Sequence, residues 1–317
     1  MKIVVTGAAG FIGSHVAQAF KSSGHQVVGI DCFTDHYSVS LKRLNAKELN
    51  EAGISLVERD LSADSIDDVL TDVDVVVHAA AQPGISSTTP FERYAQHNIT
   101  ATHRLLEAAR RLTALRCFIN VSTSSVYGRY ATVPETTAPT PTSFYGVTKL
   151  AAEQLALSYQ REQNLPVCSL RLFSVYGPRE RPEKLYFKLI ESILGDKEFP
   201  LFEGSLHHSR SFTYVDDAVS AFLAVVERCE QCSGEIFNIG SDIETGTAEG
   251  IQLIEALVGK QAKIVTVPRR SGDQQRTFAD IEKARTFLGY HPQTRPEEGL
   301  RRQVEWYRDR IWNKITL

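Results

Sequence analysis

The sequence has few cysteines, little net charge and no long apolar run, and each shortage argues against a class of protein. Only five of its 317 residues are cysteine, an odd and scattered set, which argues against a disulfide framework and for a reducing compartment. A net charge of -3 gives none of the excess positive charge that binding to nucleic acid or to an acidic membrane surface requires. The N-terminal MKIVVTGAAGF is too short and too glycine-interrupted for a signal sequence or membrane span. We therefore expect a soluble cytoplasmic protein with no nucleic-acid or membrane partner.

A metal site is not expected either. Cys229 and Cys232 have the spacing of a zinc knuckle, but the sequence has no second pair to complete a tetrahedral site. The two cysteines also lie at the end of a segment with the pattern of an amphipathic helix. We therefore predict that the protein binds no metal.

The length and the hydrophobic pattern predict an α/β protein of two lobes. A chain of 317 residues exceeds the usual size of one hydrophobic core. In the first half, short β-branched runs alternate with helix-period segments, which is typical of βαβ units in a doubly wound parallel sheet. Strands are predicted at residues 2–5, 26–30, 54–58, 73–78, 116–121 and 167–173, and helices at 11–23, 91–113 and 145–163. The segment GPRERP after Tyr176 indicates a boundary, beyond which a second, smaller lobe is expected.

The turn after the first predicted strand carries the first candidate site. VTGAAGFIGSHV places Gly7, Gly10 and Gly13 directly after a strand and at the start of a helix. Small residues there let the backbone approach a pyrophosphate, whose charge is held by free N–H groups at the helix start, around Phe11 and Ile12. The alternative is a tight strand–helix turn without a ligand. Because strand, glycines and helix coincide, the pattern favours a dinucleotide.

Asp31 indicates which dinucleotide is bound. It ends the second predicted strand, about where an acid binds both ribose hydroxyls, and Cys32 and Phe33 follow it. A carboxylate there repels a 2′-phosphate, and no Arg or Lys follows until Lys42. We therefore predict NAD rather than NADP, with Asp31, Cys32 and Phe33 among the residues that bind it.

Two further segments are predicted to line the same cleft. Asp60 and Leu61 follow the third strand, and Ala79, Ala80 and Ala81 follow the fourth, where small residues let a cofactor lie against the strand ends. A surface aspartate or a packed alanine run would look the same. These residues are candidates because they accompany the glycine turn.

Tyr145 and Lys149 are candidates for proton transfer. They are four residues apart at the start of a predicted helix and so share one face. A phenol with a pKa of about 10 is a poor base at neutral pH, but a nearby ammonium and a cationic nicotinamide both favour its anion. Tyr145 could then take a proton from a sugar hydroxyl while the adjacent carbon gives hydride to NAD. The alternative is two residues on a solvated helix face.

The chain as a whole resembles the extended short-chain dehydrogenase/reductase family, and within it most resembles the NAD-dependent nucleotide-sugar 4-epimerases. The resemblance covers nearly the whole chain and rests on TGAAGFIGSH, Asp31, HAAAQPG, STSSVYG, YGVTK, LRLFSVYGPRERP and SRSFTYVDDAV, in this order. It implies a Rossmann-like NAD lobe at residues 1–176, with a returning segment near 213–240, and a nucleotide-sugar lobe at 177–317. It also implies a homodimer held by a four-helix interface from the helices near 91–113 and 145–163.

The resemblance also assigns roles near the nicotinamide. Tyr145 would be the base and Lys149 its partner on the nicotinamide ribose. Asn98 would support the helix near the active site, and Phe173 would lie close to the nicotinamide.

The segment STSSVYG distinguishes between reactions of the resembled family. Its 4,6-dehydratases carry Asp and Glu where this sequence has Ser124 and Ser125, and its glucuronate decarboxylases keep a glutamate at the second position. Without that acid pair, we expect oxidation at C4 followed by reduction from the other face. Thr123, with Ser124 or Ser125, can then bind the sugar O4 and relay its proton. A solvated serine-rich turn is the alternative.

The segment SVYGPRERP resembles epimerases acting on UDP-glucuronic acid. By position, Ser174 and Arg181 would bind the sugar carboxylate, since a guanidinium matches a carboxylate bidentately. Alternatively, Arg179 and Arg181 are solvated or bind phosphate. The remaining candidates for the substrate are Arg210 for the diphosphate, Asp273 for the nucleotide ribose, Arg276 for a second phosphate contact, and Pro83 and Gly84 over the sugar.

Three functions remain open from the sequence. The first is a UDP-sugar 4-epimerase that interconverts UDP-glucuronic and UDP-galacturonic acid with NAD regenerated in each turnover. The second is a 4-epimerase of a neutral UDP-hexose or UDP-N-acetylhexosamine. The third is a non-catalytic, NAD-binding regulatory protein.

Overall fold

The structure is a computed structural model that describes residues 1–86, 88–269, 274 and 276–315. The strands are β1 (Lys2–Thr6), β2 (Gln26–Asp31), β3 (Ser55–Glu58), β4 (Val75–His78), β5 (Cys117–Thr123), β6 (Tyr130–Ala131), β7 (Val167–Leu172), β8 (Val175–Tyr176), β9 (Glu198–Phe202), β10 (Ser209–Arg210), β11 (Thr213–Tyr214), β12 (Ile236–Ile239), β13 (Thr245–Gly246), β14 (Lys263–Val267) and β15 (Arg276–Thr277). The α-helices are α1 (Phe11–Ser22), α2 (Val39–Glu51), α3 (Phe91–Tyr94), α4 (Ala101–Ala109), α5 (Phe144–Gln163), α6 (Leu185–Leu194), α7 (Val215–Glu227), α8 (Cys229–Cys232), α9 (Thr247–Val258), α10 (Glu282–Leu288) and α11 (Pro296–Arg310). Short 3-10 helices cover Ser124–Tyr127 and Ser205–His207.

A seven-stranded parallel sheet forms the larger part of the molecule. Its strands lie in the order β12-β7-β5-β4-β1-β2-β3, and every neighbouring pair is parallel. The strand order reverses between β1 and β4, which is the topological switch point where open α/β sheets bind ligands. The predicted Rossmann-like α/β fold is therefore confirmed, and β12 returns from the second half of the chain to extend the sheet.

The apolar runs of the central strands exist because helices cover both faces of the sheet. Val4, Val76 and Phe118 pack into the core on one face, whereas their neighbours Val5 and Val77 pack into the core on the other. A strand buried on both sides has no solvent face, so it reads as a continuous hydrophobic run rather than as an alternating one.

The helix predicted at residues 91–113 is interrupted and shorter in the structure. It consists of α3, a π-helical turn at Ala95–Thr100, and α4, which ends at Ala109. The π-helical turn contains Asn98, whose Oδ1 accepts from the Gln82 backbone N–H at 2.7 Å and whose Nδ2 donates to the Gln82 carbonyl at 3.2 Å. Such turns commonly occur at functional sites, and here the turn carries the side chain that holds the loop after β4.

The chain beyond Tyr176 adds smaller sheets and helices. Strands β13, β10, β15 and β6 form one sheet, β14 pairs with β9, and β11 pairs with β8. Helices α6, α9 and α11 pack against one another. Among the helices of the described residues, none combines the length and the apolar character needed to cross a bilayer.

Candidate active site

A cleft of about 610 Å³ lies along the carboxyl ends of the parallel strands and is closed by the segment after β8. Most of the residues predicted for the site come together there. They are Gly7, Gly10, Phe11, Ile12, Gly13, Asp31, Cys32, Asp60, Leu61, Ala79, Ala80, Ala81, Pro83, Gly84, Thr123, Ser124, Ser125, Tyr145, Lys149, Ser174, Arg181 and Arg210.

The glycine turn packs so closely that a side chain cannot be added. A Cβ at Gly13 would lie 2.2 Å from the carbonyl oxygen of Gly7, so α1 approaches the end of β1 only because Gly13 has none. The first hydrogen bond of α1 runs from Ser14 N to the Gly10 carbonyl, 3.1 Å long. Phe11 and Ile12 precede it at the helix start and line the cleft, and the first N–H groups of a helix have no partner within it, as a pyrophosphate site requires.

Asp31 braces the glycine turn. Its Oδ2 accepts from the Ala9 N–H at 3.0 Å, and its Oδ1 accepts from the Phe33 N–H at 2.8 Å. The carboxylate thus ties the end of β2 to the turn after β1 and faces the cleft. Phe33, in contrast, does not line the cleft, because its ring packs against Ala46 and Ala9.

Asn98 and Phe173 lie outside the cleft lining, in the layer behind it. Asn98 also donates to the Thr148 hydroxyl of α5 at 2.9 Å, so it connects the loop after β4 to the helix that carries Tyr145. Phe173 is fully buried, with its ring 6.4 Å from that of Tyr127. Both residues therefore lie directly behind the residues that line the cleft.

Helix α5 brings Tyr145 to the hydroxyl loop, which we define as Thr123–Tyr127. The helix begins after Ser143, whose hydroxyl accepts from the Gly146 N–H at 3.1 Å, so Tyr145 lies in the first turn. A Cβ at Gly146 would lie 2.6 Å from the Ser125 carbonyl oxygen, so this close contact requires glycine. Thr123 caps the loop by accepting from the Ser125 N–H at 3.2 Å.

Opposing influences act on the pKa values of Tyr145 and Lys149. Burial raises the pKa of Tyr145, whereas the charge of Arg181 and a hydrogen bond with Thr123 lower it. Burial lowers the pKa of Lys149 to about 8, against the opposing influence of Glu153. The pKa of Tyr145 is therefore raised overall, and the Thr123 hydroxyl and the charge of Arg181 are the two groups that counteract its burial.

The segment after β8 places a cation at the same end of the cleft. The guanidinium of Arg181 packs over the loop after β4, since a Cβ at Gly84 would lie 3.4 Å from its Nη1. Ser174, which precedes β8, has a φ of 30°, a left-handed conformation that is unusual for a serine. Arg181 Nη1 also lies 2.6 Å from Oε1 of Glu183.

The three candidates for the nucleotide have different outcomes. Arg210 lines the cleft and donates to the Gln274 carbonyl at 2.6 Å. Arg276 lies outside the cleft, because its side chain is 57% exposed and forms two hydrogen bonds with the carboxylate of Glu244, 2.8 and 2.9 Å long. Asp273 is outside the described residues.

Residues 3–240, which contain most of these features, match the sequence model of the NAD-dependent epimerase/dehydratase family. The chain belongs to this family. The uncharacterised UDP-glucose epimerase YtcB of Bacillus subtilis (strain 168) is 40% identical over 311 residues, which are 96% of this chain and 98% of that protein. UDP-glucuronate 4-epimerase 3 of Arabidopsis thaliana is 35% identical over 328 residues, 96% of this chain and 76% of that protein.

A solved structure within the epimerase/dehydratase family has nearly the same fold. The crystal structure of UDP-glucuronic acid 4-epimerase from Bacillus cereus, in complex with UDP-glucuronic acid and NAD, is 38% identical. It matches with a TM-score of 0.93 over 98% of this chain and 99% of that chain. The extended dehydrogenase/reductase resemblance is therefore confirmed.

Some cleft residues of this family member were not predicted from the sequence. Gln82 lies within the quoted motif HAAAQPG, and Glu180 and Glu183 lie beside Arg181, so proximity to motifs is the signal that could have found them. His36 lies in no motif, and only the fold brings it to the cleft. Outside the cleft, the thiols of Cys229 and Cys232 are buried, and no cluster of three His, Cys, Asp or Glu residues in the described chain has a metal-binding arrangement.

Proposed function

We propose that this protein is an NAD-dependent 4-epimerase that interconverts UDP-glucuronic acid and UDP-galacturonic acid. The observation that carries this proposal is the position of Arg181, a cation that packs over Gly84 and whose charge reaches Tyr145. A sugar that places its C4 hydroxyl at Tyr145 brings its C5 carboxylate within a few ångströms, where a guanidinium is the matching partner. The relatives named UDP-glucuronate 4-epimerase support the same substrate.

The residues of the NAD lobe fit the cofactor. The close approach at Gly13 leaves room for a pyrophosphate at the start of α1, and the carboxylate of Asp31 faces the cleft where two ribose hydroxyls would lie. When bound there, NAD would supply reversible hydride transfer at C4 of the sugar. We assign this lobe to residues 1–176 with the returning segment near 213–240, and the nucleotide-sugar lobe to 177–317.

The chain itself supplies proton transfer and orientation. Tyr145 takes the proton of the C4 hydroxyl, and the charge of Arg181 favours the phenolate that performs this step, while Lys149, one turn further along α5, would bind the nicotinamide ribose. Thr123, already hydrogen-bonded to Tyr145, is placed to relay the proton, with the hydroxyl of Ser124 or Ser125 holding O4 of the rotated 4-keto sugar. Reprotonation by Tyr145 then completes the epimer.

The hydroxyl loop favours epimerisation over elimination. Between Thr123 and Tyr127 there is no carboxyl side chain to act as acid or base at C5 and C6. Two carboxyls reach the cleft from the segment after β8, but each is engaged, Glu180 by Nε2 of Gln303 at 2.6 Å and Glu183 by Arg181. The product should therefore retain all atoms of the substrate.

The test is incubation of the purified protein with UDP-glucuronic acid, followed by NMR of the anomeric and H4 protons. UDP-galacturonic acid without UDP-xylose supports the proposal, and dehydrated or decarboxylated products contradict it. Arg181→Ala should raise the KM for UDP-glucuronic acid by at least about tenfold. Arg111→Ala, which removes an exposed arginine outside the cleft, is the matched control.

A neutral UDP-hexose is the second candidate substrate. The ion pair with Glu183 partly neutralises Arg181, and the relative YtcB is named a UDP-glucose epimerase. If UDP-glucose epimerises and UDP-glucuronic acid does not, the Tyr145 mechanism stands and the carboxylate role of Arg181 is lost.

We further propose a homodimer in the reducing cytoplasm. Phe91 and Phe144 are 41% and 55% exposed, with ring centroids 5.4 Å apart, and Val147 extends this apolar surface on α5. An apolar surface of this kind fits a partner helix pair, and five free thiols fit a reducing compartment. Sedimentation of the wild type and of Phe144→Glu tests the dimer, which the substitution should dissociate, and cell fractionation tests the location.

A further inference from the structure

Glu183 brings a carboxylate to the sugar end of the cleft that the proposed reaction does not use. Its Oε1 lies 2.6 Å from Nη1 of Arg181 and 3.5 Å from Nε2 of His36. Although burial alone would raise it, the charge of Arg181 and the nearby ring of His36 hold the pKa of Glu183 at about 2. The chain therefore pairs its own carboxylate with the guanidinium proposed to bind the sugar carboxylate.

The pair between Arg181 and Glu183 leaves part of the guanidinium available. The 2.6 Å contact is an ion pair by distance, but its angles are not those of a hydrogen bond. Nη1 of Arg181 consequently has no hydrogen-bond acceptor of good geometry within the described part of the chain. The Glu183 side chain is 45% exposed, so water weakens the pair, and a bidentate substrate carboxylate can displace it at small cost.

His36 is placed to receive Glu183 after such a displacement. Nε2 of Gln82 donates to Nδ1 of His36 at 2.8 Å, which leaves the hydrogen of a neutral imidazole on Nε2, the atom that faces Glu183. Gln82 is itself fixed, because its backbone N–H donates to Asn98. A small side-chain rotation shortens the 3.5 Å separation to a full hydrogen bond.

We propose that Glu183 determines sugar specificity by holding Arg181 when no sugar carboxylate is present and by moving onto His36 when a uronate binds. This proposal rests on the UDP-glucuronate function proposed above. An acidic sugar must compete with Glu183, whereas a neutral sugar leaves the ion pair intact. Glu183 and His36 therefore set the relative affinity for acidic and neutral sugars without contacting C4.

The experiment measures kcat and KM for UDP-glucuronic acid, and Ki for UDP-glucose as a neutral competitor, on the NAD-loaded enzyme. Glu183→Gln removes the internal competitor and should lower the KM by about three- to tenfold, with the change confined to KM and absent from Ki. His36→Leu, which has no side-chain donor, should raise the KM, because displaced Glu183 loses its second partner. The double variant should show the low KM of Glu183→Gln. Glu198→Gln, at an exposed carboxylate outside the cleft, is the matched control.

Several results would overturn the proposal. A KM that rises in Glu183→Gln would mean that Glu183 only braces Arg181, and a parallel change in the Ki of UDP-glucose would mean a general effect on the cleft. If the wild type does not turn over UDP-glucuronic acid at all, the proposed function is lost and this proposal with it.

A second measurement needs no variant of Glu183. In wild-type enzyme labelled with 15N-histidine, UDP-glucuronic acid should shift the ring signals of His36, and UDP-glucose should not. Equal responses to the two ligands contradict a uronate-driven movement of Glu183.

Discussion

Glu153 and Arg171 form a fully buried, bidentate ion pair directly behind the active site. The Nη2–Oε1 and Nε–Oε2 distances are 2.6 and 2.9 Å, and Nη1 of Arg171 donates to the Tyr127 hydroxyl at 2.7 Å. The pair links α5, which carries Tyr145 and Lys149, to β7. Glu153 also opposes the lowering of the Lys149 pKa that burial causes. One buried pair thus both anchors α5 to the sheet and influences the pKa of Lys149.

Breaking that pair should destabilise the protein strongly. We expect Arg171→Met to reduce the free energy of unfolding by about 3–5 kcal/mol, because Glu153 is then left charged and buried without its partner. Adding Glu153→Met should recover much of the loss. Urea denaturation measures both. The control Glu58→Gln breaks an exposed pair with Arg43 and should cost less than about 1 kcal/mol. Equal losses in the single and double variants would contradict the explanation.

Removal of the Tyr145 hydroxyl should abolish turnover while leaving the fold intact. We expect Tyr145→Phe to lower kcat by about a hundred- to ten-thousand-fold, since general base catalysis is lost and the ring still fills its place. The NMR assay of epimerisation measures this, and the NAD content of the purified protein should not change. Tyr130→Phe, at a tyrosine outside the cleft, is the control. A Tyr145→Phe enzyme within about tenfold of wild type would instead revive a non-catalytic role for the residue.

Glu180 should make stability fall as the pH rises towards neutrality. Burial raises its pKa from 4.5 to about 7, against the opposing influences of Lys184 and Gln303. The folded protein therefore holds a proton on Glu180 more tightly than the unfolded chain does. The stability that this difference contributes is fully present below the unfolded pKa and is lost as the pH rises through the folded pKa. The difference of about 2.5 between these pKa values corresponds to roughly 3 kcal/mol.

Glu180→Gln imitates the protonated side chain and isolates this effect. We expect the variant and the wild type to be equally stable at about pH 4, and the variant to be more stable by roughly 3 kcal/mol at about pH 8. Urea unfolding at both pH values provides the comparison, with Glu198→Gln as the exposed control. A constant difference between wild type and Glu180→Gln across this range would show that Glu180 does not titrate as expected.

A methyl group at Gly13 should prevent NAD binding. Its Cβ would lie 2.2 Å from the Gly7 carbonyl oxygen, so α1 must move away from β1. We expect Gly13→Ala to lose bound NAD and to be less stable by about 1–3 kcal/mol. The absorbance of nucleotide released on denaturation measures the first effect. Gly246→Ala is the control, because a Cβ there meets nothing within 4 Å, and it should retain the cofactor. Retention of NAD by Gly13→Ala would be contrary evidence.

The sequence predicts the sheet well because the central strands follow a simple rule. The six predicted strands of the first half all appear, with ends that differ by a few residues, and β5 continues to Thr123. A strand buried on both faces consists of consecutive hydrophobic residues, so the sequence indicates it without any knowledge of its neighbouring strands. The interruption of helix 91–113 was not predictable in this way, because the π-helical turn accompanies bonds between Asn98 and a loop that is distant in the chain.

The site was predictable where its residues belong to sequence motifs, as the glycines, the small residues and the Tyr145 and Lys149 pair do. The ion pairs and hydrogen bonds between side chains that are distant in the sequence were not predictable. Arg276 was predicted to contact phosphate, but the carboxylate of Glu244 engages it on the surface. Glu183 stands beside Arg181 in the sequence, yet its contact with His36 depends on two segments that only the fold brings together.

The sequence by itself determined the parallel sheet, the glycine turn, the Tyr145 and Lys149 pair and the absence of an acid pair in the hydroxyl loop. These features depend on local periodicity and on residue types at fixed spacings. The tertiary structure alone decided which charges meet. It buried Glu153 with Arg171 and placed Glu183 between Arg181 and His36. The reason is physical, since the energy of a charge depends on burial and on partners that lie far away in the chain.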